Sequence, residues 1–147
     1  MGRIMALDFG SKTVGVALTD PMHIICSPCE TITREREGKM RPTMRRIIEL
    51  VAGQDVERIV VGDPVHMDGT AGERSRKSAE FAEALRYRLM QEGLSVPVEL
   101  YDERLTTVSA DEILEETGVA AENRKTWIDS VAASLILEDY MKNTKKG

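Results

Sequence analysis

Arg3-Ile4-Met5-Ala6-Leu7-Asp8-Phe9-Gly10-Ser11-Lys12-Thr13-Val14-Gly15-Val16-Ala17-Leu18 is the stretch that decides the fold. From Arg3 to Phe9 the run is apolar apart from its first residue and Asp8, the pattern of a buried central strand. Gly10 to Thr13 reads as a short turn. Val14, Val16 and Leu18 then alternate with Gly15 and Ala17, so a second strand should fold back on the first as a hairpin. Asp20-Pro21 turns the chain again, and a third strand follows from about Ile24 to Thr33. Pro28 inside it has no amide donor, which assigns that strand to a sheet edge.

Beyond the meander the pattern changes period. Met40, Met44, Ile47, Ile48 and Val51 recur at helical spacing and predict a helix from Lys39 to Gly53, with Gly53 as its C-terminal cap. Ile59-Val60-Val61 predicts a short buried strand over Arg58–Gly62. Phe81, Ala84, Leu85 and Leu89 form the stripe of a long helix from Gly72 to Gln91, which Gly93 ends. Val96–Tyr101 is the fifth strand. Thr107 caps a further helix that Gly118 stops, with Asp111 and Glu112 in its first turn. The last helix starts near Asn123 and runs to about Lys142. The order β-β-β-α-β-α-β-α-α implies an α/β fold, a three-layer sandwich whose mixed five-stranded sheet carries helices on both faces. The reading is one domain, 1–142, with a polar tail, 143–147.

Composition excludes several classes. The chain has 147 residues, 20 Lys+Arg against 25 Asp+Glu and a net charge of -5. With 41% hydrophobic and 31% charged residues it should fold alone, and with only 4% aromatics its core must be mostly aliphatic. No apolar run approaches the roughly 18 residues of a membrane span. Asp8 interrupts the N-terminal run, so no signal-peptide layout is expected. Two cysteines make no disulfide framework, and a cytoplasmic, reducing compartment is the default. Overall acidity argues against a non-specific nucleic-acid coat but allows a local basic patch.

Three carboxylates look out of place. Asp8 ends the central strand and shares a face with Ile4 and Ala6. An unpaired carboxylate there costs several kcal/mol, so it needs a partner: a metal ion, Lys12, or the amides of the Gly10-Ser11 turn. Asp129 shares a helix face with Ala132, Ala133 and Ile136, and the two alanines allow close approach to a sheet. Thr126-x-x-Asp129 also matches a capping box with Asp in place of Glu, so Asp129 is either a cap or a site acid. Asp102-Glu103-Arg104 follows the fifth strand, and strand parity does not decide which acid points inward. One strand end, one helix and one post-strand turn supply acids as a two-metal phosphoryl-transfer site requires. The loop Gly62–Thr70 follows a strand end, where α/β sheets place ligands. Its amides suit a phosphate, although Asp68-Gly69 is also a plain turn signal.

Together these motifs resemble the YqgF/RuvX family of RNase H-like nucleases, described as Holliday-junction-resolvase-like and as pre-16S ribosomal RNA nucleases. Asp8 to Ala17 is similar to its first motif and Val61-Gly62 through Asp68-Gly69-Thr70 to its second. Asp102 to Thr107 is similar to the third, and Asp129 with Ala132-Ala133, Leu137 and Tyr140 to the fourth. The resemblance covers nearly the whole chain in order. It implies an RNase H-like sheet, divalent Mg²⁺ or Mn²⁺, and phosphodiester hydrolysis. It further implies Asp8, Glu103 and Asp129 as catalytic acids and metal ligands, with Asp102 as the alternative third acid. Lys12, Arg74, Arg76, Lys77, Arg104, Thr106 and Thr107 are the expected substrate-binding residues, with Arg74, Arg76, Lys77 and Arg104 read as part of a basic rim. The chain departs from the family at Asp63 and His66, where Leu and Asn are usual, and at Thr13, where a basic residue is frequent.

The remaining signals are weaker. Cys26-Ser27-Pro28-Cys29 lies in a strand, where a spacing of three puts the thiols on opposite faces. A zinc site would need His23 and His66 besides, so a structural role is expected. His66 is a surface residue or a general base, and Trp127 a packing anchor. Charge is uneven: Arg34, Arg36, Lys39, Arg41, Arg45 and Arg46 outnumber Glu35 and Glu37, whereas Glu99 to Glu116 is acidic. These basic residues are either solvated helix faces or a rim that tracks a phosphate backbone. The favoured reading is a metal-dependent endonuclease acting on the 5' end of pre-16S ribosomal RNA, as monomer or homodimer. Its rivals are a Holliday junction DNA resolvase, a non-catalytic nucleic-acid-binding module, and an actin-like phosphotransferase suggested by Asp8-x-Gly10. The last normally needs two such domains, and this chain supplies one.

Overall fold

In the computed structural model, which describes residues 2–10, 12–63, 72–102 and 121–145 (side chains of the last helix from 129 to 143), the opening apolar run becomes the middle of the sheet. The strands are β1 (Arg3–Phe9), β2 (Thr13–Thr19), β3 (Cys26–Thr33), β4 (Val56–Asp63) and β5 (Val98–Asp102). The helices are α1 (Arg41–Gly53), α2 (Glu73–Gln91) and α3 (Ala121–Lys145). The sheet order is β3-β2-β1-β4-β5. The two short connections make β1–β2 and β2–β3 antiparallel; the longer connections through α1 and α2 make β1–β4 and β4–β5 parallel. The helix expected over Thr107–Gly118 lies outside the described residues.

Alternation along β1 divides the core in two. Met5 and Leu7 join Ile59, Val61, Ile47, Phe81, Leu85 and Leu89 beneath α1 and α2. Ile4 and Ala6 join Ala17, Val60, Ala133, Ile136, Leu137 and Tyr140 beneath α3. Each large aliphatic chain fully buried contributes about 1.5–3 kcal/mol, so the α1/α2 side, richer in Leu, Ile and Phe, carries more of the stabilisation. The α3 side exchanges bulk for closeness: Ala6, Ala17 and Ala133 are all fully buried.

Local chemistry moves several boundaries. β3 begins at Cys26 rather than Ile24 because the Asp20 carboxylate accepts the amides of Ile24 at 2.7 Å and Ile25 at 2.9 Å, fixing a loop ahead of the strand. Pro28 sits on the edge strand as expected, next to a register shift opposite Val16/Ala17. Gly53 is the last helical residue of α1 rather than its cap; Gln54 closes the helix by donating to the Leu50 carbonyl, and Asp55 takes the positive φ of 53°. Gly93 ends α2 with φ at +73°, and Leu94 donates back to the Leu89 carbonyl at 2.9 Å. α3 continues past Lys142 into the segment read as a polar tail, where the Asn143 amide donates to the Tyr101 hydroxyl.

Candidate active site

Asp8 pairs with Gly15 across the β1–β2 ladder. Residues opposite one another in an antiparallel pair project to the same side of the sheet. A Cβ on Gly15 would meet the Ser130 amide nitrogen at 2.8 Å and collide with the Asp129 carbonyl. The side to which Asp8 projects is therefore the side on which α3 rests, and the point of contact is Asp129 itself. The hairpin that bears Asp8 is closed by Gly10 donating to the Thr13 carbonyl at 2.7 Å. Both acids are partly buried.

The capping reading of Asp129 fails on the helix's bounds. α3 starts at Ala121, which puts Asp129 more than two turns inside it at about 3.6 residues per turn. Its carboxylate is therefore not used on the first-turn amides. Two aromatic braces fix the register of α3 on the sheet. The Tyr140 hydroxyl donates to Glu99 and accepts from Arg58 at 2.8 Å, and the Tyr101 hydroxyl donates to Asp139 at 2.7 Å. The two rings meet edge to face at 5.5 Å. Burial is the main cause that pushes both phenols above their ordinary value of 10.0.

Asp102 is not brought to this side. β5 pairs regularly with β4 from Ile59↔Val98 to Asp63↔Asp102. Val98 packs under α1 and α2, whereas Tyr101 packs under α3. Two-residue alternation sends Asp102 with Val98, away from Asp8. Asp63 follows the same parity and accepts the Ser75 hydroxyl of α2, so this departure from the family pattern ties β4 to the first turn of α2. Glu103, Arg104, Thr106 and Thr107 lie outside the described residues, as do His66 and the loop from 64 to 71.

Asp8 and Asp129, from a strand end and a helix, supply hard oxygen donors on one side of the sheet, which fits Mg²⁺ or Mn²⁺ and not a soft-ligand metal. Among the described residues no three of His, Cys, Asp and Glu gather as a complete metal group. Cys26 and Cys29 are not joined in a disulfide. Cys26 lies 3.4 Å from the Met141 sulfur on the α3 side. The Cys29 thiol is exposed and pushed up, first by desolvation and then by the charge of Glu30.

The basic residues divide. Lys12 and Arg76 are exposed. Lys77 donates to Glu37 at 2.7 Å, and Arg74 reaches Glu37 at 3.5 Å and the Phe9 carbonyl at 3.0 Å. These pairs raise the Lys77 ammonium and lower the Glu37 carboxyl, in each case chiefly through their mutual hydrogen bond. Arg34 is buried, donates to the Gly10 carbonyl at 2.7 Å and stands 4.8 Å from the Phe9 ring. Burial is the first cause that lowers its guanidinium. Arg46 makes a two-point pair with Glu30 at 2.9 and 2.7 Å. In the sequence Arg34 and Glu37 stand only within a charge run; in the fold Arg34 meets the Gly10 carbonyl and the Phe9 ring, and Glu37 pairs with Arg74 and Lys77. The one local signal was their position just after β3, whose pairing with β2 brings Arg34 beside Lys12.

Against known proteins, the model of the family described as "RuvX: Holliday junction resolvase" matches residues 2–143. A protein of Lachnospira eligens named "Putative pre-16S rRNA nuclease" is 53% identical over 144 residues, covering 98% of this chain and 99% of its own length. Proteins of the same name are 46% identical in Agathobacter rectalis, over 97% of this chain and 99% of theirs, and 43% identical in Listeria monocytogenes, over 97% and 99%. Among solved structures, RuvC of T. thermophilus in complex with a Holliday junction substrate superposes with a TM-score of 0.56 at 12% identity, covering 96% of each chain. The yeast mitochondrial Holliday junction resolvase gives 0.53 at 12% identity, over 95% of this chain and 78% of that one. These two show the fold alone, and it is the RNase H-like one. Identity that persists from end to end of the relatives, together with a family match that leaves out only the first residue and the last four, decides the kinship: the chain belongs to the RuvX family.

Proposed function

We propose that this protein is a divalent-metal-dependent endonuclease that hydrolyses phosphodiesters of precursor 16S ribosomal RNA near its 5' end. The observation that carries the reading is the convergence of Asp8 and Asp129 on one side of the sheet over Gly15. Asp8, Asp129 and Glu103 would hold the cations, with Glu103 preferred to Asp102 because Asp102 follows the parity of Val98. When bound, Mg²⁺ or Mn²⁺ supplies Lewis acidity toward the scissile phosphodiester. The chain's own residues do the rest. The carboxylates fix the reacting end of β1, and the exposed cations Lys12 and Arg76 accompany the flanking phosphates. The chain acts as one nuclease unit whose last helix runs to Lys145, and the reading implies a cytoplasmic protein. Among the described residues no helix is long and apolar enough to cross a membrane.

The family description favours a second reading, resolution of four-way DNA junctions. Ribosomal RNA takes precedence because relatives at 43–53% identity carry that name. The deciding experiment incubates purified protein with precursor 16S RNA and with a four-way DNA junction, each with and without Mn²⁺. Metal-dependent cleavage of the RNA alone is the expected result. Cleavage of the junction alone replaces the substrate, and cleavage of neither refutes the nuclease reading.

A further inference from the structure

The carbonyls of Phe9 and Gly10, the two residues that follow Asp8, are each gripped by an arginine from outside β1. Arg34, the residue after β3, donates through Nη2 to the Gly10 carbonyl at 2.7 Å. Arg74, in the first turn of α2, donates through Nη2 to the Phe9 carbonyl at 3.0 Å. The Phe9 ring lies between the same elements, stacked on Phe81 at 4.4 Å and with the Arg34 and Arg74 guanidiniums 4.8 and 5.9 Å from its centre. Glu37 offsets the accumulated charge through Lys77 at 2.7 Å and Arg74 at 3.5 Å.

This arrangement exceeds what a hairpin turn needs. The turn already closes through Gly10 and Thr13. Placing Arg34 at 7% exposure close to a second guanidinium is costly, since a buried ion must recover its lost hydration from its contacts. What the two arginines add is a second anchor: with the Phe9 and Gly10 carbonyls and the Phe9 ring held, the backbone just after Asp8 has less freedom to turn. We propose that Arg34 and Arg74 are positioning residues that lock the Phe9–Gly10 backbone and thereby hold the Asp8 carboxylate toward Asp129. The proposal rests on the reading of Asp8 as a site acid. It gives Arg74 a role through Asp8 in place of the direct substrate contact expected from the sequence.

The test compares Arg74→Met, Arg74→Lys and Asp8→Asn with the unsubstituted protein. Mn²⁺ affinity is measured by calorimetry without nucleic acid, alongside kcat, KM and the unfolding midpoint. Arg74→Met should weaken Mn²⁺ binding about 10–100-fold, as loss of a group that orients a metal ligand does. It should lower kcat to a similar degree and change KM by less than about threefold. Arg74→Lys keeps the charge facing Glu37 and should fold even where Arg74→Met does not. It should recover part of the affinity, because an ammonium lacks the planar fork. A raised KM with Mn²⁺ affinity and kcat unchanged returns Arg74 to the substrate surface and overturns the proposal. So does a lowered unfolding midpoint with Mn²⁺ affinity intact in either Arg74 variant. Asp8→Asn separates the two possible failures. If it binds Mn²⁺ and cleaves like the unsubstituted protein, or if that protein itself binds no Mn²⁺, the reading of Asp8 fails and the proposal with it. If Asp8→Asn loses both properties while the Arg74 variants keep both, only the positioning role is wrong.

Discussion

The backbone of Asp129 rests on Gly15 so closely that no side chain fits between them. Because Gly15 is the ladder partner of Asp8, one contact fixes both how near α3 comes to the sheet and which acid it carries there. Gly15→Ala should therefore act on stability and on the site together. Helix and strand must separate to admit the methyl group, and overpacking of this kind costs about 1–3 kcal/mol. Cleavage should fall more than about tenfold, since small misplacements of reacting groups are expensive. Gly38→Ala is the control: nothing lies within 4 Å of its added Cβ, so the unfolding midpoint and cleavage rate should stay near those of the parent. Equal behaviour of the two variants in a denaturant titration and a cleavage assay would remove Gly15 from this role.

The acids themselves sort by side. Asp8→Asn and Asp129→Asn should each retain a cooperative unfolding transition and lose cleavage by roughly two or more orders of magnitude. The double variant should be little worse than either, because groups acting as a unit are not additive. Glu103→Gln should match them. Asp102→Asn should keep most of the rate, since its carboxylate follows the parity of Val98 away from Asp8. Single-turnover rates of the five variants at saturating Mn²⁺ check the set, and a dead Asp102→Asn beside an active Glu103→Gln reverses the assignment.

Much of this fold is legible in the sequence because its signals are local. The apolar run ending at Asp8, the alternation around Gly15 and the helical stripe of Phe81, Leu85 and Leu89 each specify an element without reference to the rest. What was not legible is tertiary. Thr126-x-x-Asp129 is a good capping box by spacing, and only the helix start at Ala121 disqualifies it. The side taken by Asp102 depends on register, and a slip of one residue reverses it. Arg34 and Glu37 belong to a charge run that reads the same whether it is solvated or folded against Phe9. Bulges and boundaries also shifted, as where Asp20 holds the amides of Ile24 and Ile25 and delays β3.

Acid should unlock the edge of the sheet at Glu30. The two-point pair with Arg46, first as a hydrogen bond and then as a charge, lowers the Glu30 carboxyl below its ordinary value of 4.5. A carboxyl depressed in the folded state gives stability that is full above the unfolded value and is lost as pH falls through the folded one. Glu30→Gln should therefore be less stable than the parent at neutral pH, by no more than about 1 kcal/mol because the pair is partly solvated and screened. The difference should close as pH falls below 4.5. Urea midpoints of both proteins from neutral pH into the acid range test the sign. A difference that persists unchanged in acid would show that the pair contributes packing rather than charge.

Substrate grip should reside in the exposed cations and not in those bound inward. Arg74 and Lys77 spend their donors on Phe9 and Glu37, whereas Lys12 stands exposed beside the Asp8 turn and Arg76, although exposed, keeps only a loose pair with Glu73 at 3.9 Å. A pair so open to solvent is worth little, so a phosphate competes with Glu73 easily. Each phosphate contact removed lowers the slope of log affinity against log salt by about 0.7–0.9. Lys12→Glu with Arg76→Glu should therefore weaken nucleic-acid binding and flatten the slope by about 1.4–1.8 if both residues meet phosphates. Turnover at saturating substrate should change far less, because neither residue holds the acids in place. Lys77→Gln should leave the slope unchanged. The measurement is a salt titration of binding with Ca²⁺ in place of Mg²⁺ to suppress cleavage. A double variant with the parent's affinity and slope would place the phosphate track elsewhere on the surface, and a flattened slope in Lys77→Gln would mean that its pair with Glu37 opens when nucleic acid binds.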